Sequence, residues 1–233
     1  MTPIEIIIAP CVLSIFIIFI SKFLIYAATS TYSKKKPRIQ MQAQDIAKNI
    51  LITASIYDTS TVSINGVLSD NYDPRTKTIS LSKKVYGQTS IMAVAVAAHE
   101  VGHALQHKDG YKGLRVRRAL QPLMSLFILS CAALLIVWFF TQIQILLIIL
   151  CLLVLISVVI SASSLPSEFD ASRRAVDALQ KTGKYSEEEI HEAKLMLRAS
   201  AFTYVAGLFD VIVKVVVTAL VLILLGGKDK KRK

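Results

Sequence analysis

Cysteine is scarce in this 233-residue chain, and the three present, Cys11, Cys131 and Cys151, all lie inside apolar stretches. A disulfide framework or a thiolate metal site needs partner spacings and an aqueous setting that these positions lack, so the three are expected to be packing residues. Acidic residues are few as well, 16 against 27 lysines and arginines, which leaves a net charge of +11. No Lys or Arg precedes Lys22, and the charge near the start is Glu5. A cleaved leader would begin basic and end at a small-x-small site, so the first apolar run is expected to be retained. Internal repeats are absent, and the sole low-complexity stretch is the basic tail Lys228 to Lys233.

What the chain has in excess is apolar residues. Hydrophobic types make up 54% and the mean hydropathy is +0.55, values that exclude an ordinary water-soluble globule. Ile4 to Ala28 is long enough to cross a hydrocarbon core of about 30 Å. Leu120 to Phe140 and Ile143 to Ile160 predict two further spans joined by a link too short for anything but a tight helical hairpin. Tyr204 to Leu225 is a fourth apolar segment, interrupted by Asp210 and Lys214, which at a spacing of four can pair on one helix face.

The cations are placed at the ends of these runs. Lys34, Lys35, Lys36 and Arg38 follow the first span, Lys112, Arg115, Arg117 and Arg118 precede the second, and Arg173 and Arg174 follow the third. This is the positive-inside pattern rather than a nucleic-acid footprint, so a bilayer is expected as partner and nucleic acid is not. It predicts a multi-pass protein of the cell membrane with segments 29–119 and 161–203 in the cytoplasm. The divisions expected are a first span at 1–28, a cytoplasmic region at 29–119, a membrane hairpin at 120–160, a cytoplasmic helical segment at 161–203, and a last apolar helix with its tail at 204–233. A basic tail conflicts with a fourth crossing, which leaves open whether the last segment spans fully.

Within the first cytoplasmic segment, Ile39 to Leu51 has helical apolar spacing. Thr61 to Leu68 and Thr78 to Ser82 alternate with β-branched residues, and Asn71 to Lys77 has turn composition with Pro74 at a corner. Together these predict a small antiparallel hairpin. A helix follows, capped by Thr89 or Ser90 and ending before Gly110, with a first half that is apolar all round and hence buried.

That helix carries Ala98-His99-Glu100-Val101-Gly102-His103, with three of the chain's four histidines between positions 99 and 107. Residues four apart stack on one helix face, so His99 and His103 can present two imidazole nitrogens to one point, with Glu100 a step round the cylinder. This is the H-E-x-x-H arrangement of zinc hydrolases, in which the carboxylate serves as general base. A random shuffle of this composition would produce it on the order of two times in a thousand, so chance is a poor explanation. His107 stands about 12 Å of helix rise beyond His99, too far for one ion to be shared by all three rings. It reads as a polar residue favoured by the helix C-terminus.

A third ligand must come from elsewhere. The longer H-E-x-x-H-x-x-G-x-x-H pattern fails at Gln106 and Asp109. Glu168 is the leading candidate, because Pro166 and Ser167 announce a helix start that would put it in a first turn. A first-turn acid also needs no metal, since the helix dipole suffices. Asp170, Asp109, the run Glu187-Glu188-Glu189, His191 and Asp210 therefore stay open as alternatives on the residues alone.

Asn71-Tyr72-Asp73-Pro74-Arg75, the stretch Ala98 to His107, Leu165-Pro166-Ser167-Glu168-Phe169-Asp170-Ala171-Ser172-Arg173-Arg174-Ala175 and Thr203-Tyr204-Val205-Ala206 together resemble the YugP-type neutral zinc metallopeptidases of bacterial membranes. More distantly, the plan is similar to that of the HtpX heat-shock proteases and the CAAX prenyl proteases. The resemblance implies Zn2+ held by His99, His103 and Glu168, with Glu100 as catalytic base and a polypeptide as substrate. One position departs from those distant relatives: an Asp that orients a ligand there is Ser172 here.

The expected fold is a mainly α membrane protein of about four transmembrane helices with a small cytoplasmic α+β, zincin-like catalytic region. Tyr204 and Arg173 are the candidates for a second oxyanion donor. Two rival readings are an intramembrane metalloprotease with Asp210 as third ligand and a non-catalytic membrane adaptor with a structural zinc. An intact Glu100 argues against the adaptor, because a structural site needs no base.

Overall fold

The computed structural model of the chain describes residues 3–66 and 69–229, with side chains described for 8–66 and 69–224. The side chain of Glu5, the residues Val67 and Leu68 of the expected strand, and the side chains of the basic tail lie outside the described residues. Along the chain run α1 (Pro3–Tyr32), α2 (Ala43–Thr53), β1 (Ser60–Ile64), β2 (Asn71–Asp73), β3 (Thr78–Ser82), α3 (Ile91–Lys108), α4 (Lys112–Thr141), α5 (Gln144–Lys181) and α6 (Glu187–Asp229). The described residues are mostly helical with one small sheet, and the chain's contacts divide it into two compact units.

The apolar unit comprises Met1–Lys22, Val116–Leu165 and Thr203–Lys233. Among the described residues, four helices are long and apolar enough to cross a membrane, the stretches being Ile8–Tyr32, Lys112–Thr141, Gln144–Lys181 and Glu187–Leu224. The shortest, at 1.5 Å per residue, covers about 37 Å, more than a hydrocarbon core needs. Their large side chains point outward: Phe19 is 67% exposed, Leu129 69% and Ile223 69%. Water would penalise such a surface, whereas lipid tails match it, and each helix satisfies its own backbone. The turn between α4 and α5 is closed by Gln142, whose backbone N–H donates to Trp138 O at 2.7 Å and whose φ is 53°. Leu147, Leu150 and Val154 of α5 pack with Cys131 and Trp138 of α4 and with Val215 and Leu222 of α6. Cys11, Cys131 and Cys151 are free thiols.

The second unit comprises Phe23–Arg115 and Pro166–Phe202. Its core is made by Ile46, Ala47, Ile50 and Leu51 of α2, Ile79 and Leu81 of β3, the first half of α3, Leu179 of α5, and Ile190, Met196 and Leu197 of α6. Burying each large aliphatic side chain contributes roughly 1.5–3 kcal/mol. The apolar-all-round half of α3 is buried as its composition requires, with Ala93, Ala95, Ala97 and Ala98 fully enclosed. Ser90 caps the helix by accepting from Ala93 N at 3.3 Å, and Gly110, at φ 62°, follows its C-terminus.

The sheet has the order β1-β3-β2. An antiparallel hairpin does close around Pro74, but its strands are β2 and β3, with Asn71 opposite Ser80 and Asp73 opposite Thr78, so Asn71–Asp73, expected as part of the turn, is itself a strand. β1 corrects the expectation: it pairs with β3 in parallel, Ser60 opposite Thr78 through Ile64 opposite Ser82. Alternation identifies a strand but not the direction of its partner, and the segment between β1 and β2 lets the chain cross over. α2 likewise begins at Ala43 rather than Ile39.

A second correction concerns α5, which runs through Pro166 without a break. Proline removes one backbone donor but leaves the remaining hydrogen bonds of a 38-residue helix to carry it through. Glu168 is thus a mid-helix residue, and the helix-dipole explanation for an acid at that position falls away.

Candidate metal centre

All parts of the site belong to the second unit. α3 supplies His99, Glu100, His103 and Gln106, and α5 supplies Ser167, Glu168, Asp170 and Ser172. Gly102 is what lets these helices approach: a Cβ there would lie 2.3 Å from Ala171 O, a distance no side chain tolerates. Hydrogen in place of a side chain therefore sets the helix separation at the level of the histidines.

Across that contact, Glu168 Oε2 lies 3.2 Å from His99 Nε2, and Oε1 lies 3.6 Å from His103 Nε2. The imidazoles stand nearly edge to face, with centroids 4.9 Å apart. Among the described residues, one group of three metal-capable side chains converges, His99, His103 and Glu168, with candidate ligand atoms all within 4.8 Å of one another. The Glu168 side chain is 2% exposed, that of His103 7% and that of His99 16%. A carboxylate so deeply buried is costly unless positive charge or donors compensate, and a divalent ion at this point would supply that charge.

The far sides of the rings fit the same use. His99 Nδ1 lies 3.1 Å from Ser172 Oγ, and His103 Nδ1 lies 3.0 Å from Gln106 Oε1. With Nδ1 engaged by an oxygen, Nε2 is left to present its lone pair toward the shared point, the usual arrangement of metal-ligating histidines. Two imidazoles and one carboxylate are a donor set for zinc with a fourth position left for water or substrate. Ser172, where the distant relatives have Asp, still places an oxygen on the imidazole. Glu100, beside His99 in the chain, is 6% exposed.

The other sequence candidates have different employment. Asp170 accepts from Arg173, from Arg174 Nε at 2.6 Å and from Gln106, while Asp109 pairs with the far end of Arg174. Glu189 accepts from the backbone N–H of Ser186 at 2.7 Å at the start of α6, and His191 is exposed. His107 sits in the last turn of α3, its Nδ1 2.9 Å from the hydroxyl of Tyr72 on β2. Asp210 belongs to the apolar unit, where it accepts from Ser14 Oγ at 2.7 Å and from Lys214 Nζ at 2.6 Å. Of the two oxyanion candidates, Arg173 is tied to Asp170, and Tyr204 lies in the apolar unit's stretch of α6. Neither Gln106 nor Ser167 receives a role at the metal site from the sequence; the usable signal is the i, i+3 spacing of His103 and Gln106 on one helix face.

The chain is mostly helical with long apolar helices, and it brings His99 and His103 of the H-E-x-x-H helix together with Glu168 of α5 in a group that could hold a metal ion. The profile of the family described as "Putative neutral zinc metallopeptidase" matches residues 6–224, and the chain belongs to that family. It is 32% identical over 217 residues to the "Putative membrane protease YugP" of Bacillus subtilis (strain 168), an alignment covering 91% of this chain and 93% of that protein. No solved structure matches the chain.

Proposed function

We propose that the protein is a membrane-embedded zinc endopeptidase in which His99, His103 and Glu168 hold the metal and Glu100 is the general base. The observation that carries this reading is the convergence of His99, His103 and Glu168 within one buried cluster, in a chain of a zinc metallopeptidase family. Zinc in such a site supplies the Lewis acidity that makes water a nucleophile near neutral pH. Glu100 accepts the proton of the attacking water and returns it to the amine that leaves when the peptide bond breaks. Ser172 and Gln106 hold the imidazoles in register. The substrate is an extended polypeptide, and the sheet's edge strands β1 and β2 offer backbone groups to which such a chain can add as a further strand.

The test is hydrolysis by the purified full chain in detergent, with an unfolded membrane protein as substrate. Cleavage is expected to stop when a strong chelator removes the metal and to return with stoichiometric zinc. Cleavage indifferent to the chelator overturns the proposal.

The same reading places the second unit in the cytoplasm, supported by the clustering of Lys34 to Arg38, Lys112 to Arg118 and Arg173-Arg174 at the span ends. A reporter fused after Lys108 is expected to give a cytoplasmic signal, and one inserted at Gln142 an external one. The opposite pair of signals reverses the orientation and moves the active site across the membrane.

A further inference from the structure

Gln106 is fully buried in α3, one turn beyond His103, and an amide with no exposure needs every hydrogen bond it can make. Its Nε2 donates to Ser167 O at 2.7 Å and to Asp170 Oδ2 at 2.9 Å. Both of these partners are acceptors only. Its Oε1 accepts from Ser167 Oγ at 3.1 Å and lies 3.0 Å from His103 Nδ1. Turning the amide over would set its oxygen against a carbonyl and a carboxylate and forfeit the two bonds that Nε2 donates to them, so its orientation is fixed by those two acceptors.

We propose that Gln106 is the positioning residue of the second zinc ligand: its oxygen, locked by Asp170 and the Ser167 carbonyl, selects the His103 form that carries its proton on Nδ1. An amide oxygen can only accept, so the imidazole nitrogen facing it must be N–H, and Nε2 then keeps its lone pair for the metal. Asp170 is anchored in turn by Arg173 and by Arg174, and Arg174 reaches Asp109 at the C-terminal end of α3. The chain of contacts thus runs from an ion-pair cluster between α3 and α5 to one face of His103. Facing His99 Nδ1 at 3.1 Å is a serine hydroxyl, which can donate or accept and so does not select one tautomer by itself. The inference rests on the zinc reading above, and it assigns the control of one ligand's tautomer to a named side chain.

The measurement is zinc affinity of the purified full chain by chelator competition, independent of proteolysis. Gln106→Leu, similar in size but without an acceptor, is expected to weaken zinc binding about 10- to 100-fold, the usual cost of losing a group that orients a metal-bound histidine. The ring ¹⁵N shifts of His103 in the zinc-loaded parent give a second readout: a proton on Nδ1 and ligation through Nε2 are expected. Parent-like affinity in Gln106→Leu overturns the inference, and so does a His103 that binds zinc through Nδ1. Should Gln106→Leu fail to fold, the His103 shifts of the parent decide alone: a protonated Nδ1 supports the assignment and an unprotonated Nδ1 overturns it. A parent protein that binds no zinc refutes the metal site itself, which is a different result from a parent that binds and a Gln106→Leu that binds equally.

Discussion

Glu100→Gln is expected to retain zinc and lose peptide hydrolysis by about 10²- to 10⁴-fold, the range that general-base catalysis contributes. The substitution preserves size and one acceptor oxygen at a position only 6% exposed, so packing is little disturbed. What it removes is the capacity to take a proton, because a primary amide is not basic near neutral pH. The three candidate ligands are His99, His103 and Glu168, and the substitution touches none of them. Metal analysis and cleavage measured on the same preparation separate the two roles. Equal cleavage by variant and parent would sink the peptidase mechanism, while loss of zinc from the variant would move Glu100 from base to ligand. The adaptor reading predicts no cleavage by either protein, so the parent's activity also discriminates between enzyme and scaffold.

How much of this was legible in the sequence differs from residue to residue. His99 and His103 could be read at once, since a spacing of four on a helix is a local fact. The tight turn at Gln142 and the Asp210–Lys214 pair are equally local, and both are present. Glu168 was legible as a candidate but for a reason that does not hold. Pro166 and Ser167 suggested a helix start, yet α5 continues through them, and the carboxylate's 2% exposure is set by α3 packing across the gap at Gly102. Gly102 itself reads in sequence only as a weak helix former; its purpose depends on the backbone of Ala171, far along the chain. The parallel pairing of β1 with β3 is similarly non-local, since alternation fixes which face a side chain takes and not which neighbour the strand finds. Gln106 joins both cases: its spacing from His103 is local, but the partners that lock its amide, Ser167 and Asp170, lie more than sixty residues away.

Glu168→Ala is expected to abolish tight zinc binding, and Asp210→Asn to leave it nearly unchanged. Removing one of three protein ligands leaves an ion held by two imidazoles, so affinity should fall by more than the roughly 10- to 100-fold that follows loss of a residue that merely orients a ligand. The comparison with Gln106→Leu in the same chelator assay therefore ranks the two residues, with the larger loss belonging to the one whose oxygen faces the metal. Loss of Glu168 also relieves the burial of a carboxylate, so the metal-free variant is expected to melt no lower than the metal-free parent, apart from the small cavity left behind. Asp210 is different in kind. It is bonded to Ser14 of α1 and to Lys214 one turn along α6, and an asparagine there can still accept from Ser14 while giving up the ion pair. In an apolar segment that change removes one charge and strands another, an effect on helix packing and insertion rather than on metal. If instead the Asp210 variant loses zinc and the Glu168 variant keeps it, the metal belongs to the apolar unit and the protein is an intramembrane peptidase.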